Sequence, residues 1–236
     1  MLIEETTLKK YYQMAITQQN RFLENDLIVV GDVHGQVHLL KALRLMLQDT
    51  GVNLLFLGDL MDRAENKGDD LRVLEIIKDL RENPQRQGLN SCDSLMGNHE
   101  AMFLEACRNY TAIGLWEQNG GDVDSFYDLS FHKQWLSELP LYKKVGQTLF
   151  VHAGIRPGIN LKNQHKQDLI WIRDPFLAAH DFRCHGIKRV IHGHTPNFCG
   201  GVQVTHNRIN LDSGAFHTGI LSVYNHRSGE IFQIDL

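Results

Sequence analysis

LIVVGDVHG, residues 27–35, decides how this chain folds, because an apolar strand runs directly into a turn that carries polar side chains. The first four residues have the apolar, β-branched character of a buried strand. Gly31 and Gly35 let the backbone turn sharply on either side of Asp32 and His34. These two residues occupy alternate positions of an extended segment, so both side chains can point the same way. The stretch therefore predicts a strand with potential metal ligands at its carboxyl end.

Four further apolar runs end in the same way. They are NLLFLGD (53–59), SLMGNHE (94–100), LFVHAG (149–154) and VIHGHT (190–195), and the potential ligands that they carry are Asp59, Asn98, His152 and His194. Carboxylate and amide oxygens mixed with imidazoles suit a pair of first-row divalent ions better than a thiolate zinc site does. Since α/β sheets place ligand groups on the loops after the carboxyl ends of strands, we expect one shared site.

Between these strands the apolar pattern becomes helical. From Leu39 to Leu47 the apolar residues recur at the spacing that places them on one face of a helix. The segments DDLRVLEIIKDLRE (69–82) and HEAMFLEACRN (99–109) are also expected to be helices. The second strand is expected at 54–57, and the third is expected to end at Met96. This alternation of strand and helix predicts a parallel sheet with helices across its faces.

The rest of the chain predicts a second sheet. A polar helix is expected over 5–23, and the aromatic segment 110–139 reads as an insertion of short helices that covers one edge of the site. A hairpin should turn near Gly146, and residues 202–235 alternate like antiparallel strands. We therefore predict an α/β fold in which two packed sheets are flanked by helices, as a single domain over residues 1–236.

Composition narrows the class of protein. A chain of 236 residues with 42% hydrophobic and 22% charged residues is typical of one soluble domain with an ample core. The net charge of -4 argues against a nucleic-acid scaffold. The four cysteines show no CxxC spacing, and the start, MLIEETTLKKYYQ, lacks the pattern of a secretory leader. No apolar run approaches the ~20 residues that cross a bilayer. We expect a reduced, cytoplasmic protein without a membrane partner.

Five short motifs carry a family resemblance. GDVHG (31–35), GDLMDR (58–63), GNHE (97–100), VHAG (151–154) and HGHT (192–195) resemble the signature set of the calcineurin-like metallophosphoesterases. Within that superfamily they look most like the phosphoprotein-phosphatase type, in its compact bacterial and phage form. The resemblance implies the two-sheet α/β/β/α sandwich of these enzymes.

The resemblance also implies which residues hold metal. One ion would be bound by Asp32, His34 and Asp59, and the other by Asp59, Asn98, His152 and His194, with Asp59 bridging the two. His192 is set aside because the family's ligand is the histidine that precedes threonine. The cofactors would be two divalent ions, manganese foremost, with iron or zinc as alternatives.

Further roles follow from motif position. By resemblance, His99 would donate a proton to the leaving group, and Asp62 would orient its ring. Arg63 would grip the phosphate, and Arg173 is the second phosphate clamp, with a salt bridge to Asp174 as the alternative. We expect Arg156 to shape a turn and Asp212 to hold a loop.

The implied reaction is direct hydrolysis of a phosphate monoester by a hydroxide that bridges the two ions. The expected substrates are phosphoserine and phosphothreonine in proteins, with phosphotyrosine also open, although a phosphorylated small molecule would fit the same chemistry. The nearest alternative is hydrolysis of nucleotides such as symmetrical dinucleoside tetraphosphates. Asp62 and Glu100 favour the protein phosphatases, because the nucleotide branch usually lacks this aspartate and carries GNHD. Ala64 stands where the family commonly has glycine, which predicts an altered turn beside Arg63.

A third interpretation is a non-catalytic metal-binding scaffold. It would predict the loss of His99 or of a metal ligand, and the sequence retains all of these residues.

Overall fold

The computed structural model describes residues 21–235. The helix predicted over 5–23 lies outside this range except for residues 21–23, which are turn and irregular backbone. The described strands are β1 (Leu27–Val30), β2 (Asn53–Phe56), β3 (Ser91–Ser94), β4 (Tyr142–Val145), β5 (Thr148–Val151), β6 (Arg189–His192), β7 (Gln203–Val204), β8 (Arg208–Asn210), β9 (Ile220–Asn225) and β10 (Ile231–Asp235). The described α-helices are α1 (Val37–Leu47), α2 (Asp69–Glu82), α3 (Asn98–Arg108), α4 (Ile113–Gln118), α5 (Phe126–Leu129), α6 (Lys133–Ser137), α7 (Lys166–Trp171) and α8 (Ala215–Thr218).

The strands form two five-stranded mixed sheets. The first has the order β10-β9-β1-β2-β3, in which β1, β2 and β3 are parallel. In the same sheet β9 pairs antiparallel with both β1 and β10. The second has the order β4-β5-β6-β8-β7, in which β5, β6 and β8 are parallel. The predicted hairpin is present, because β4 and β5 pair antiparallel around Gly146. The predicted fold class, two sheets flanked by helices, is confirmed.

The last strands are divided between the two sheets. The chain leaves β8 of the second sheet, passes through α8 and enters β9 of the first sheet. The predicted antiparallel pairing holds within each pair, β7 with β8 and β9 with β10. The sequence pattern did not indicate that β8 pairs with β6 in parallel, because this contact joins distant segments.

The sheets pack face to face through alternate side chains. Val29 and Leu55 of the first sheet meet Phe150 and Ile191 of the second in one buried cluster. Their strand neighbours point to the opposite faces, where the helices cover them. Strands that are buried on both faces explain the continuous apolar runs of the sequence.

Local contacts set the boundaries beside the site. α2 has the predicted bounds, whereas β3 ends at Ser94, two residues before the predicted Met96. The Leu95 N–H still donates to the carbonyl of Phe56, but the Met96 N–H turns away to the carbonyl of Pro140.

The segment after α3 folds as the expected short helices. α4, α5 and α6 lie within residues 110–139, with the ring of Trp116 packed against those of Phe103 and Phe126. The single-domain reading and the interpretation of this segment as an insertion stay predictions. Among residues 21–235, no helix is long and apolar enough to cross a bilayer.

Candidate active site

The structure brings all the predicted metal ligands together. Five of them lie on loops that follow strands, and Asn98 is the first residue of α3. Each is at most 5% exposed: Asp32, His34, Asp59, Asn98, His152 and His194. Possible ligand atoms form two groups, and within each group they all lie within 4.8 Å of one another. The first group is His34, Asp59 and His99, and the second is Asp59, His152 and His194. The first group contains His99, which the sequence assigned to acid catalysis, in the place where Asp32 was expected.

Asp59 belongs to both groups. Its Oδ2 lies 3.6 Å from Nε2 of His34, and its Oδ1 lies 3.3 Å from Nε2 of His152. Each carboxylate oxygen thus faces a different group, which is the arrangement that a carboxylate bridging two cations requires. Burial acts to raise the pKa of Asp59, but the surrounding imidazoles, His152 first, outweigh it and hold the pKa well below its usual value.

Hydrogen bonds to backbone carbonyls fix which ring nitrogen faces inward. Nδ1 of His34 donates to the carbonyl of Met61 at 3.1 Å, and Nδ1 of His152 donates to that of Leu57 at 3.0 Å. His194 is reversed, since its Nε2 donates to the carbonyl of Trp171 at 3.1 Å. In a neutral ring the other nitrogen then carries a lone pair, as a metal ligand needs.

Three inward-facing side-chain atoms lie close together. Oδ1 of Asn98 lies 2.9 Å from Nε2 of His152 and 2.8 Å from Nδ1 of His194. The neighbouring Asp59 raises the pKa of His152 to about 9 against the opposing effect of burial. Burial and His152 lower the pKa of His194 to about 3, so its ring is neutral and Nδ1 meets another acceptor. A cation would replace the proton that His152 carries on this side, and it would pair with Oδ1 of Asn98 and Nδ1 of His194 together.

Asp32 tests the fit for a divalent ion. Its Oδ2 accepts from the backbone N–H of His194 at 3.0 Å, but its buried Oδ1 has no hydrogen-bond partner. Burial raises the pKa of Asp32 well above its usual value, and the negative charges of Asp212 and Asp59 add to this effect. A divalent ion would supply both the missing partner and the missing positive charge. The residues present therefore fit a metal centre.

The backbone of the site is strained. Five site residues have positive φ angles: His34 (46°), Asp59 (49°), Asp62 (69°), Arg63 (65°) and His194 (65°). Such conformations are uncommon for residues with side chains, and they concentrate at functional sites where the surrounding structure holds them.

Glu100 holds one of these strained turns, a role that the sequence analysis missed. Its Oε2 accepts from the N–H groups of Asp59 at 2.9 Å and Gly97 at 2.8 Å, and its Oε1 accepts from the N–H of Leu60 at 2.8 Å. Burial and the charge of Asp59 raise its pKa to about 7. The detectable signal was a glutamate three residues after the Gly97 helix cap, the spacing of a capping box.

The predicted acid is oriented by a chain of buried hydrogen bonds. Nδ1 of His99 lies 2.7 Å from Oδ2 of Asp62, and Nε1 of Trp116 donates to both carboxylate oxygens at 2.9 and 3.0 Å. Burial opposes charge on His99, but Asp59 and Asp62 outweigh it and raise the pKa of the ring. Trp116 was missed because it lies 54 residues from Asp62 in the chain.

Arg63 spans the two imidazoles of the first group. Its Nη1 donates to Nε2 of His34 at 2.9 Å, and its Nη2 lies 3.0 Å from Nε2 of His99. The Arg63 backbone N–H donates to the carbonyl of Gly120 at 2.9 Å, which ties the turn to the helical segment. Ala64 is not among the residues with positive φ, so a methyl group is tolerated where the family commonly has glycine.

Arg173 lies at the edge of the cluster. Its Nη2 donates to the carbonyl of His194 at 3.2 Å and its side chain is exposed. Within residues 21–235 no ion pair joins it to Asp174, so the alternative weighed from the sequence is not what the structure has. Arg156 instead forms a two-point ion pair with Asp168.

His192 and Asp212 lie beside the ligands. Nδ1 of His192 donates to the carbonyl of Gly193 at 3.0 Å, and its ring packs edge-on against Phe176. His192 belongs to neither group of possible ligands. Oδ1 of Asp212 accepts from the N–H of Gly214 at 2.9 Å, as expected of a residue that holds a loop.

Comparison with known proteins gives consistent matches. The family model described as calcineurin-like phosphoesterase matches residues 26–212. A serine/threonine-protein phosphatase described as PP2A-like from Candida albicans is 30% identical over 68% of this chain, but this chain spans only 40% of that relative's length. Serine/threonine-protein phosphatase 2 of Salmonella typhimurium is 27% identical over 87% of this chain and 94% of its own length.

Solved structures support the fold. A protein to which diadenosine tetraphosphatase activity has been ascribed aligns with a TM-score of 0.63 at 22% identity, covering 89% of this chain and 93% of its own. A protein serine/threonine phosphatase from Saccharomyces cerevisiae aligns with a TM-score of 0.63 at 17% identity, covering 96% of this chain and 88% of its own. At these identities the likeness concerns the fold alone.

Proposed function

Because this chain belongs to the calcineurin-like phosphoesterase family, we propose that it is a two-metal protein phosphatase that hydrolyses phosphoserine and phosphothreonine. The family makes it a phosphoesterase, and its similarity to serine/threonine-protein phosphatases supports a phosphorylated substrate. The assignment to proteins rather than nucleotides is the finer part of the proposal.

One observation carries the two-metal part. Asp59 faces two separate groups of inward-pointing nitrogens, and Asp32 beside it keeps a buried carboxylate oxygen without a partner. We assign one ion to Asp32, His34 and Asp59, and the second to Asp59 with Asn98, His152 and His194. When bound, divalent ions would activate water as the nucleophile and neutralise charge on the phosphate. Manganese is our first choice, with iron or zinc as alternatives.

The protein's own groups would do the rest. We assign His99 as the acid that protonates the leaving alkoxide, because Asp59 and Asp62 raise the pKa of its ring and so favour its protonated form. Asp62 orients the ring from its 2.7 Å contact with Nδ1. Arg63 would leave the imidazoles of His34 and His99 to grip the phosphate through its planar fork, and Arg173 would clamp it from the edge of the site.

The proposal favours proteins over nucleotides because of the contact between Asp62 and His99. By resemblance, this aspartate is typical of the protein-phosphatase branch, and here it is buried, paired with His99 and supported by Trp116. The neighbour with ascribed diadenosine tetraphosphatase activity keeps hydrolysis of dinucleoside tetraphosphates as the second candidate.

A substrate comparison tests the proposal. The purified protein is incubated with manganese and either a phosphoserine peptide or diadenosine tetraphosphate, and phosphate or nucleotide release is measured. We expect faster turnover of the peptide, loss of activity with a chelator, and a fall of about 100-fold in kcat for His99→Asn. Faster cleavage of the dinucleotide would overturn the assignment to protein substrates and support the dinucleoside tetraphosphate alternative. Activity that survives chelation would overturn the metal proposal.

A further inference from the structure

A polar cleft lies at the opposite end of the second sheet from the candidate active site. Its volume is about 640 Å³, and we call it the distal cleft; it is lined by residues 147–148, 180–182, 187–189 and 206–207. Thr148 and Arg189 are the first residues of β5 and β6, and they are neighbours in the register of these parallel strands. The predicted metal ligands His152 and His194 follow the carboxyl ends of the same two strands, roughly 13 Å away along β5. The distal cleft is therefore separate from the candidate active site.

Hydrogen bonds hold the walls of the distal cleft together. Nε2 of His206 donates to the carbonyl of His180 at 2.8 Å, and Nδ2 of Asn207 donates to the same carbonyl at 3.0 Å. On the other side, the N–H of Lys188 donates to the carbonyl of Gln147 at 2.8 Å. These bonds join segments that are distant in the chain, so the cleft is formed without a ligand, as is usual for small-molecule sites.

The distal cleft carries positive charge without a counter-charge. Lys188 and Arg189 line it and are exposed, and among the described residues neither of their side chains forms an ion pair or a hydrogen bond. Asp181 is the only acid among the described residues of the lining, and its Oδ1 accepts from the backbone N–H of Arg183 at 3.0 Å. One exposed cation is ordinary. Two adjacent cations in a concave site, on a chain whose net charge is -4, indicate an anionic ligand.

We propose that the distal cleft binds a small phosphorylated molecule, with the phosphate on Lys188 and Arg189. A phosphate monoester carries a charge close to -2 near neutral pH, which two adjacent cations match. The planar fork of arginine binds two phosphate oxygens at once, and the lysine ammonium adds a point charge. This site does not depend on the proposed function, because it shares no residue with the candidate active site.

The rest of the lining indicates the organic part of the ligand. The volume of about 640 Å³ lies within the range of roughly 300–1,000 Å³ that small-molecule sites occupy, so there is room for a group beside the phosphate. Phe182 and Ile187 are buried and give the cleft apolar surface, whereas Gln147 and His180 are exposed and offer hydrogen-bonding groups. A compact organic group that carries hydroxyls, as in a sugar phosphate, fits this mixture.

Nuclear magnetic resonance on the zinc-loaded protein tests the proposal residue by residue. The probes are 2-hydroxyethylphosphonate, which has no ester bond to hydrolyse, and 2-hydroxyethanesulfonate, which has the same organic part but a single charge. At a pH at which the phosphonate is doubly charged, we expect it to shift the amide signals of Gln147, Lys188, Arg189 and Asn207 with a Kd of about 1 mM. The sulfonate should bind far more weakly. Tighter binding of succinate than of the phosphonate would overturn the assignment to phosphate.

A matched pair of variants tests the role of the cations. Arg189→Ala should raise the Kd for the phosphonate at the distal cleft about tenfold, because a charged hydrogen-bond donor is lost. Lys41→Ala is the control, since Lys41 is exposed on α1 outside the cleft and its loss changes the net charge equally. Lys188→Ala is a second variant, and it should also raise the Kd. Equal affinity in Arg189→Ala and Lys41→Ala, or shifts confined to the candidate active site, would overturn the distal cleft and leave the proposed function standing.

Discussion

Replacement of Trp116 by phenylalanine should damage both stability and catalysis. The indole is fully buried, and its N–H is 2.9 and 3.0 Å from the two oxygens of Asp62. Phenylalanine would keep much of the ring contact with Phe103 and Phe126 but would leave Asp62 with His99 as its remaining side-chain partner among the described residues.

The size of the effect follows from these contacts. A hydrogen bond to a buried charged group contributes about 1.5–3 kcal/mol, and the lost ring volume adds to this, so we expect a loss of about 3 kcal/mol in the free energy of unfolding. The pKa of Asp62 is already raised by burial, and the bond from Trp116 counteracts that effect. Without it Asp62 would hold His99 less firmly, and a weakening of about 1.4 kcal/mol in the transition state would lower kcat tenfold.

Trp135→Phe is the matched control. Trp135 is 8% exposed and its N–H donates to His132 at 2.9 Å. The same volume and one hydrogen bond between neutral groups are lost there, so we expect about 1–2 kcal/mol of destabilisation and an unchanged kcat. Urea unfolding followed by circular dichroism measures stability, and turnover of a phosphoserine peptide at saturating manganese measures kcat. A wild-type kcat in Trp116→Phe, or an equal fall in both variants, would refute the assigned role of Trp116.

Three further predictions concern stability and metal binding. Gly97→Ala should abolish manganese binding in calorimetry, because an added methyl would collide with the backbone N and carboxylate of Asp59; Gly114→Ala, with open space around it, should bind normally, and retained binding in Gly97→Ala would contradict the geometry. Asp70→Asn should stabilise the metal-free protein more at pH 8 than at pH 5: burial, with nearby carboxylates, raises the pKa of Asp70 to about 8, so unfolding releases its proton in this window and wild-type stability falls as pH rises. The difference, read from urea midpoints at the two pH values, should be roughly 3 kcal/mol, and parallel curves for the two proteins would exclude it. Arg156→Ala should lower stability only slightly and leave the kinetics unchanged, since the arginine side of its ion pair with Asp168 is half exposed; a large rise in KM would show that Arg156 binds substrate.

Local patterns predicted which potential metal ligands lie together and most of the fold. The positions of Asp32 and His34 were predictable because both residues come directly after a strand. The helical spacing of apolar residues in α2 predicted its bounds without any contact from distant segments. The fold class followed from strands whose apolar runs indicated burial on both faces.

The missed features depend on contacts between distant segments. Trp116 reaches Asp62 across 54 positions, and neither residue carries a local mark of the pairing. Glu100 was visible as a helix-capping residue, but its bonds to Asp59 and Leu60 depend on how β2 sits beside α3. The contact between the exposed ring of Phe198 and the ring of Phe216 also depends on the fold, so the sequence pattern did not indicate it.

The left-handed residues at the site carry a consequence for engineering. His34, Asp59, Asp62, Arg63 and His194 each adopt a backbone shape that glycine would adopt more easily, at a penalty of roughly 1 kcal/mol or more apiece. A selection of variants for thermal stability alone would therefore favour glycine at these five positions. Each such gain in stability would remove a side chain from the candidate active site, so stabilising substitutions in this protein should be sought away from that site.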